Sequence, residues 1–272
     1  EKKPLYHFYP GSTLLSTGPN GCSFKCANCQ NASISQQVLD PNTVSLDDLV
    51  RSVEECEALG IAYTYSEPFI WFETIMEVAP VLRRRGYRNV IVSNGFIEQA
   101  PLDELLPLVD AMNIDIKSIR PDFYKRVCRA RLEPVLRTCE RVRRQCHLEI
   151  TTLIIPGLND TEDDINDLAR YIAANLGRDT PLHLSRYFPR YRMTQPVTPT
   201  ATMRRAFQCA RSHLDFVYVG NIDIPGTTDT LCPSCQRVLI ERRGYETKVF
   251  VEQASWHASR CPDCKTSIPI LM

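Results

Sequence analysis

The sequence predicts an α/β protein built on a parallel sheet. Three observations carry that expectation: strand-like and helix-like stretches alternate along most of the 272 residues, the connections are short, and they form six or seven β-then-α units. Parallel strands joined in this way need right-handed crossovers. An open doubly wound sheet and a full or partial (β/α) barrel both satisfy the pattern.

The elements follow in order. Residues 12–17 read as a strand, and residues 18–33 as a loop carrying three Cys. Ser45 is a good N-cap for a helix to Leu59, stopped by Gly60. A strand over 61–65 precedes a helix over 69–85, ended by Gly86. Val and Ile make 89–93 a strand, closed by Asn94-Gly95; 101–109 reads as a short helix and 112–117 as a strand. Then come a helix over 133–145, a strand over 147–155 ending at Pro156-Gly157, and a helix over 162–176 capped by Thr161. A strand over 182–185, a helix over 200–213 and a strand over 216–219 complete the series.

Composition narrows the function classes. The chain carries 32 basic and 32 acidic side chains, 43% hydrophobic residues and a pI near 7.1. That balance supplies no overall field for nucleic acid or an anionic membrane. A folded chain this long buries roughly 75% of its unfolded surface, so it holds a core without disulfides. The longest clean apolar run, around Leu153-Ile154-Ile155, is strand-sized, so a soluble, non-membrane protein is expected. No signal peptide is visible, although the chain begins at Glu1 rather than Met, and a reducing cytoplasm is the expected location.

Cysteine is the anomaly: seven of twelve fall into three tight clusters. In either architecture the functional loops lie beyond the carboxyl ends of the strands. One rim then collects the Cys loop, Ser66-Glu67-Pro68, Ser93-Asn94-Gly95, Asp115 with Lys117, and Pro156-Gly157-Leu158. The Pro-rich stretch 189–199 is placed to cover it. The domains are expected at 1–225 and, as a separate Cys-bearing module, 226–272.

Cys22, Cys26 and Cys29 form C-x3-C-x2-C. Three thiolates on a compact loop grip three irons of a cubane cluster and leave the fourth open to a ligand. Buried thiols are the plain alternative, and a three-Cys zinc site completed by His7 is the rival.

This loop after a first strand resembles the signature of radical S-adenosylmethionine (SAM) enzymes. Tyr9-Pro10-Gly11-Ser12, Cys29-Gln30-Asn31, Tyr65-Ser66-Glu67-Pro68, Asp115-Ile116-Lys117 and Ile155-Pro156-Gly157-Leu158-Asn159-Asp160 resemble, more narrowly, the AmmeMemoRadiSam-system proteins. These are relatives of the pyruvate formate-lyase-activating enzyme. The resemblance implies a partial (β/α)6 TIM-type barrel and a [4Fe-4S] cluster that chelates SAM. It implies reductive cleavage of SAM to a 5′-deoxyadenosyl radical that abstracts hydrogen from a substrate, with electrons from an external donor.

It also implies roles. Glu67, with Ser66, meets the SAM amino group; its plain reading is a carboxylate at a helix N-terminus. Ser93 and Asn94 stand for the family's Thr-Asn-Gly turn, or are simply a strand-ending turn. Asp115 and Lys117 share a strand face, as a salt bridge or as a pair receiving a carboxylate and a ribose hydroxyl. Leu153 and Ile155 are adenine contacts or core. His183, Arg186 and Tyr187 end a later strand with no role assigned.

Three departures weaken transfer of glycyl-radical activase function. Asn28 stands where an aromatic residue is frequent, Tyr65-Ser66 replaces Gly-Gly, and Val92 replaces an acid.

Cys232-Pro-x-Cys235 and Cys261-Pro-x-Cys264 supply four thiolates, a closed tetrahedral set expected to hold a structural zinc or a rubredoxin-type iron in a zinc-ribbon/rubredoxin-like module. Gln236 and Lys265 occupy positions where Gly is common. Cys56, Cys128, Cys139, Cys146 and Cys209 read as buried apolar Cys, with an auxiliary cluster on Cys139 and Cys146 poorly supported. Arg83-Arg84-Arg85 and Arg141 to Arg144 read as solvated helix ends rather than a nucleic-acid patch. The leading expectation is therefore a radical SAM enzyme whose 5′-deoxyadenosyl radical abstracts hydrogen from a substrate the sequence does not name. An activase acting on a protein glycine is the second reading, and a zinc-ribbon module binding RNA or protein the third.

Overall fold

A computed structural model describes residues 5–37, 44–244, 246–255 and 258–272. Seven parallel strands form one sheet in the order β1 to β7: Leu15–Thr17, Gly60–Tyr63, Arg88–Ser93, Ala111–Asp115, His147–Ile154, Leu182–Arg186 and Val217–Gly220. The order runs without reversal. A doubly wound sheet reverses its strand order at a switch point, so this is the partial TIM-type arrangement.

The helices between them are α1 (Ala32–Ser35), α2 (Leu46–Glu55), α3 (Phe72–Arg84), α4 (Gln99–Leu105), α5 (Pro121–Phe123), α6 (Glu133–Arg143), α7 (Glu162–Asn175) and α8 (Thr200–Arg211). Ser45 and Thr161 cap α2 and α7, their hydroxyls accepting from the N–H of Asp48 and Asp164 at 3.1 Å. Helix α2 stops at Glu55 rather than Leu59, because Glu57 turns to a left-handed φ of 47°. Helix α4 starts at Gln99 and tightens into a 3-10 turn, Leu106–Leu108. Strand β4 ends at Asp115, so Lys117 lies just past it. The sequence offered no sign of α1, α5 or the π-helical turn Tyr124–Cys128 that follows α5.

The chain divides into two compact units. One comprises residues 12–148 and 189–194 and holds β1 to β4. Its core is built from Ile61, Tyr63, Ile75, Leu82, Ile91, Leu102 and Met112, all without measurable exposure. Strand β3 shows why the sequence folds this way. Val90, Ile91 and Val92 are β-branched and all buried, as a strand covered on both faces requires.

The other unit comprises residues 1–11, 149–188 and 195–272. It contains two small antiparallel sheets: β8 (Thr230–Leu231), β9 (Val238–Arg243) and β10 (Glu246–Val249), then β11 (Glu252–Ser255), β12 (Ala258–Arg260) and β13 (Ser267–Ile268). Phe216 and Tyr218, at β7, share one apolar cluster with Cys232, Leu239, Ile240, Cys261, Ile268 and Ile270. The described residues of the C-terminal sheets thus pack their apolar side chains against β7.

A buried polar network completes that unit. Glu149 accepts from the backbone N–H of Tyr6 (2.9 Å) and His7 (2.7 Å), and His183 Nε2 lies 2.5 Å from it. His7 Nε2 contacts the Tyr218 hydroxyl at 2.6 Å, which reaches Thr230 at 2.8 Å. Arg242 donates to Thr230 at 2.9 Å and stacks 3.9 Å above the Tyr6 ring. Among the described residues no helix is long and apolar enough to cross a membrane.

Candidate functional site

The cysteine loop follows β1. Gly18 must be glycine there, since a Cβ would stand 1.9 Å from the Thr64 carbonyl. Cys22, Cys26 and Cys29 are each half-buried, and none is in a disulfide among the described residues. Cys22 Sγ accepts from Phe24 N–H at 3.4 Å, and Cys29 Sγ sits 3.0 Å from Ser35 Oγ on α1. Cys26 is hydrogen-bonded to Cys128. Burial, then the nearby Glu67 carboxylate, push the Cys22 thiol up to about 11. Iron ligation needs the thiolate and must displace that proton.

Glu67 lies between β2 and the 3-10 turn Pro68–Trp71 and has no exposed surface. Three donors hold it. Ser93 Oγ and Phe69 N–H donate to Oε1 at 2.7 and 3.1 Å, and Asn94 N–H donates to Oε2 at 2.9 Å. A carboxylate offers about four lone-pair sites, so one remains for a ligand on Oε2. The Phe69 bond is the helix-end role that the residue type alone suggested. Burial raises the Glu67 pKa, against the lowering by the Asn94, Ser93 and Phe69 hydrogen bonds.

The strand-ending turn joins this carboxylate to the loop. Gly95 N–H donates to Ser93 Oγ at 2.9 Å, and Phe96 N–H to Asn94 Oδ1 at 2.8 Å. Asn94 Nδ2 then donates to Ser23 Oγ at 3.1 Å and lies 3.7 Å from Cys22 Sγ. Ser66 Oγ donates to the Pro19 carbonyl. The structure thus brings Ser66, Glu67, Ser93, Asn94 and the Cys loop together within one unit.

Lys117 Nζ donates to Asp115 Oδ2 at 2.7 Å, and Lys117 N–H donates to the Tyr124 hydroxyl at 3.0 Å. Burial alone would lower the Lys117 pKa, but the Asp115 carboxylate and the neighbouring Cys26 hold it well above the usual range. Leu153 and Ile155 belong to the other unit, half-buried and 1% exposed respectively. Asn159 pins both backbones, accepting from Ile155 N–H at 2.7 Å and donating to the Leu153 carbonyl at 2.9 Å. His183 is engaged by Glu149, and Arg186 donates to the Thr198 carbonyl at 2.7 Å.

The four C-terminal sulfurs converge. All lie within 4.8 Å of one another, with Cys232 to Cys264 at 3.5 Å and Cys235 to Cys261 at 3.6 Å. Four thiolates at about 2.3 Å from a tetrahedral zinc stand about 3.8 Å apart, so the donor set fits one ion. The knuckles are twins: Gln236 N–H donates to Cys232 O and Lys265 N–H to Cys261 O, both at 3.0 Å. Gln236 and Lys265 carry φ of 62° and 61°, the left-handed backbone that explains why Gly is common there. This is the one set of three or more such ligand atoms gathered so closely among the described residues. The loop sulfurs each keep a separate neighbour, as suits thiolates that grip different irons of a cluster.

Three of the five remaining Cys, namely Cys56, Cys146 and Cys209, depart from the buried expectation. Cys128 is buried but sits beside Cys26, and Cys56 is exposed rather than buried. Cys139 is buried, Cys146 and Cys209 half-buried.

A model of the radical SAM superfamily matches residues 17–172. An uncharacterized protein of Methanocaldococcus jannaschii is 40% identical over all of this chain and 82% of its own length. The chain belongs to the radical SAM superfamily. This radical SAM protein is also 24% identical to the isethionate sulfite-lyase activating enzyme of Oleidesulfovibrio alaskensis, over 53% of this chain and 50% of that one. The crystal structure of a domain of pyruvate-formate lyase-activating enzyme from Bacteroides vulgatus superposes on 59% of the chain and 98% of that domain, with a TM-score of 0.52 at 18% identity. Members of the superfamily are enzymes, and membership implies a [4Fe-4S] cluster and SAM.

Proposed function

We propose that Cys22, Cys26 and Cys29 hold the [4Fe-4S] cluster and that the groups around Glu67 seat SAM for radical chemistry on an external substrate. The observation that carries this reading is the continuous network from Cys22 through Asn94 to the buried Glu67. Bound there and reduced, the cluster and SAM supply a 5′-deoxyadenosyl radical, and the protein's part is positioning and shielding. The remaining Oε2 site of Glu67 accepts from the SAM ammonium, a cation that offsets the cost of burying the carboxylate. Ser66, Ser93 and Asn94 fix that carboxylate and the loop. Asp115 and Lys117 receive a ribose hydroxyl and the SAM carboxylate.

The chain is divided functionally at residues 1–225 and 226–272, one part for each metal site, with zinc at the C-terminal four-thiolate site in place of iron. The location is the cytoplasm. Adding SAM to the dithionite-reduced protein is expected to change its electron paramagnetic resonance signal, as an open iron requires. Cys26→Ala abolishes the response, and an unchanged parent signal would sink the reading.

A second reading, installation of a glycyl radical on a protein partner, is favoured by the names of relatives such as the activating enzymes. Val92 at the acidic position weighs against it. Deuterium moving from a partner glycine into 5′-deoxyadenosine separates it from small-molecule chemistry.

A further inference from the structure

Three short segments meet at the cysteine loop. The N–H of Lys25 donates to the Cys128 carbonyl, that of Ala27 to Val127, and that of Arg192 to Ala27, each at 3.0 Å. Backbone hydrogen bonds therefore join the loop, the π turn with its left-handed exit at Arg129, and the 189–194 segment.

That surface exposes Lys25 on the loop, Lys125, Arg126, Arg129 and Arg131 on the turn and its exit, and Arg190 and Arg192 beyond. Asp122 is the sole acid in residues 24–30, 121–131 and 189–194. Among the described residues none of these seven cations forms an ion pair. Elsewhere arginines sit on carboxylates: Arg85 on Glu54, Arg141 on Asp103, Arg178 on Asp215, Arg237 on Asp263. The chain is neutral overall, so this excess is local. Crowded like charges repel, and a counter-charged partner relieves them.

We infer that this surface docks an acidic one-electron carrier protein, of the reduced-flavin or iron–sulfur type, that feeds the cluster; the inference rests on the function proposed above. One electron leaves the carrier, oxidising it by one equivalent, and enters the cluster, reducing it by one. No bond forms or breaks between the proteins. Position favours a carrier, since Lys25 immediately precedes Cys26 and the π turn brings Cys128 against it. Single-stranded nucleic acid needs free aromatic faces as well as charge. Tyr191 is exposed, but the Arg192 guanidinium lies 4.9 Å over its ring.

The test uses flavodoxin as the acidic probe and two charge reversals, Lys125→Glu/Arg126→Glu/Arg131→Glu and Arg190→Glu/Arg192→Glu. Binding of oxidised flavodoxin is measured first, because it requires neither cluster turnover nor SAM cleavage. Each variant is expected to bind about tenfold more weakly at low salt, and added salt to erase the difference. Stopped-flow reduction of the cluster by photoreduced flavodoxin is expected to slow in step, while dithionite-driven formation of 5′-deoxyadenosine stays at the parent level. Parent-like flavodoxin binding in both folded variants overturns the inference, as does loss of RNA binding with flavodoxin binding unchanged. Failure of the dithionite reaction in the parent overturns the proposed function and leaves the binding result to decide this surface.

Discussion

The backbone N–H of Asn94 donates to Oε2 of Glu67 over 2.9 Å, while the side chain of the same Asn94 reaches 3.7 Å from Cys22 Sγ. One residue thus ties a fully buried carboxylate to a half-buried thiol. The two groups proposed to flank SAM cannot move independently.

Glu67→Gln tests the carboxylate. Its amide oxygen replaces one acceptor but presents an NH2 to a backbone or hydroxyl donor, so we expect a loss of about 1–3 kcal/mol in urea unfolding. SAM affinity should fall by more than about tenfold, because a charge-assisted bond to the ammonium is lost.

The pH dependence of the ligand-free protein follows from the same residue. The folded state raises the Glu67 pKa above its unfolded value, chiefly by burial. Below both values the group is protonated in both states and costs nothing. Its contribution to stability is lost as pH rises from the unfolded value through the folded one. Thermal melts across that window should therefore flatten in Glu67→Gln, and SAM should stabilise the parent more as pH rises.

Asp115 and Lys117 form a largely buried pair at 2.7 Å. Lys117→Met leaves the carboxylate without that ammonium, which costs about 3–5 kcal/mol for a buried pair. Asp115→Leu/Lys117→Met should recover most of the stability in denaturant titrations but none of the SAM affinity. Recovery of both would reduce the pair to a salt bridge.

Cys235→Ser/Cys264→Ser replaces two exposed ligands of the C-terminal set. The metal content of this site should be lost and the melting temperature lowered. Phe216 and Tyr218 share a cluster with Cys232 and Cys261, so calorimetry should show the transition at β7 shift with it. A separate early transition would show the module to be autonomous.

The β-branched runs of β3 and β5 and the caps Ser45 and Thr161 were legible because each states a local preference. So were the two C-terminal cysteine knuckles, whose spacing is set by one tight turn. The π turn Tyr124–Cys128 was not legible, since no residue type marks i→i+5 bonding. Cys128 consequently read as an ordinary apolar Cys, its neighbour Cys26 being distant in sequence. The basic surface was hidden for the same reason: its charges come from three separated segments. Asn159 lay within a quoted motif, but its hold on the backbones of Leu153 and Ile155 required the turn geometry.

The central claim is that three thiolates hold a cluster with one iron open to SAM. Anaerobic reconstitution followed by iron, sulfide and zinc analysis, coupled to product detection with dithionite and SAM, tests it most directly. The account predicts cluster-level iron and sulfide together with zinc, formation of 5′-deoxyadenosine, and loss of the cluster but not the zinc in Cys26→Ala. Zinc alone, with SAM left intact, would contradict it.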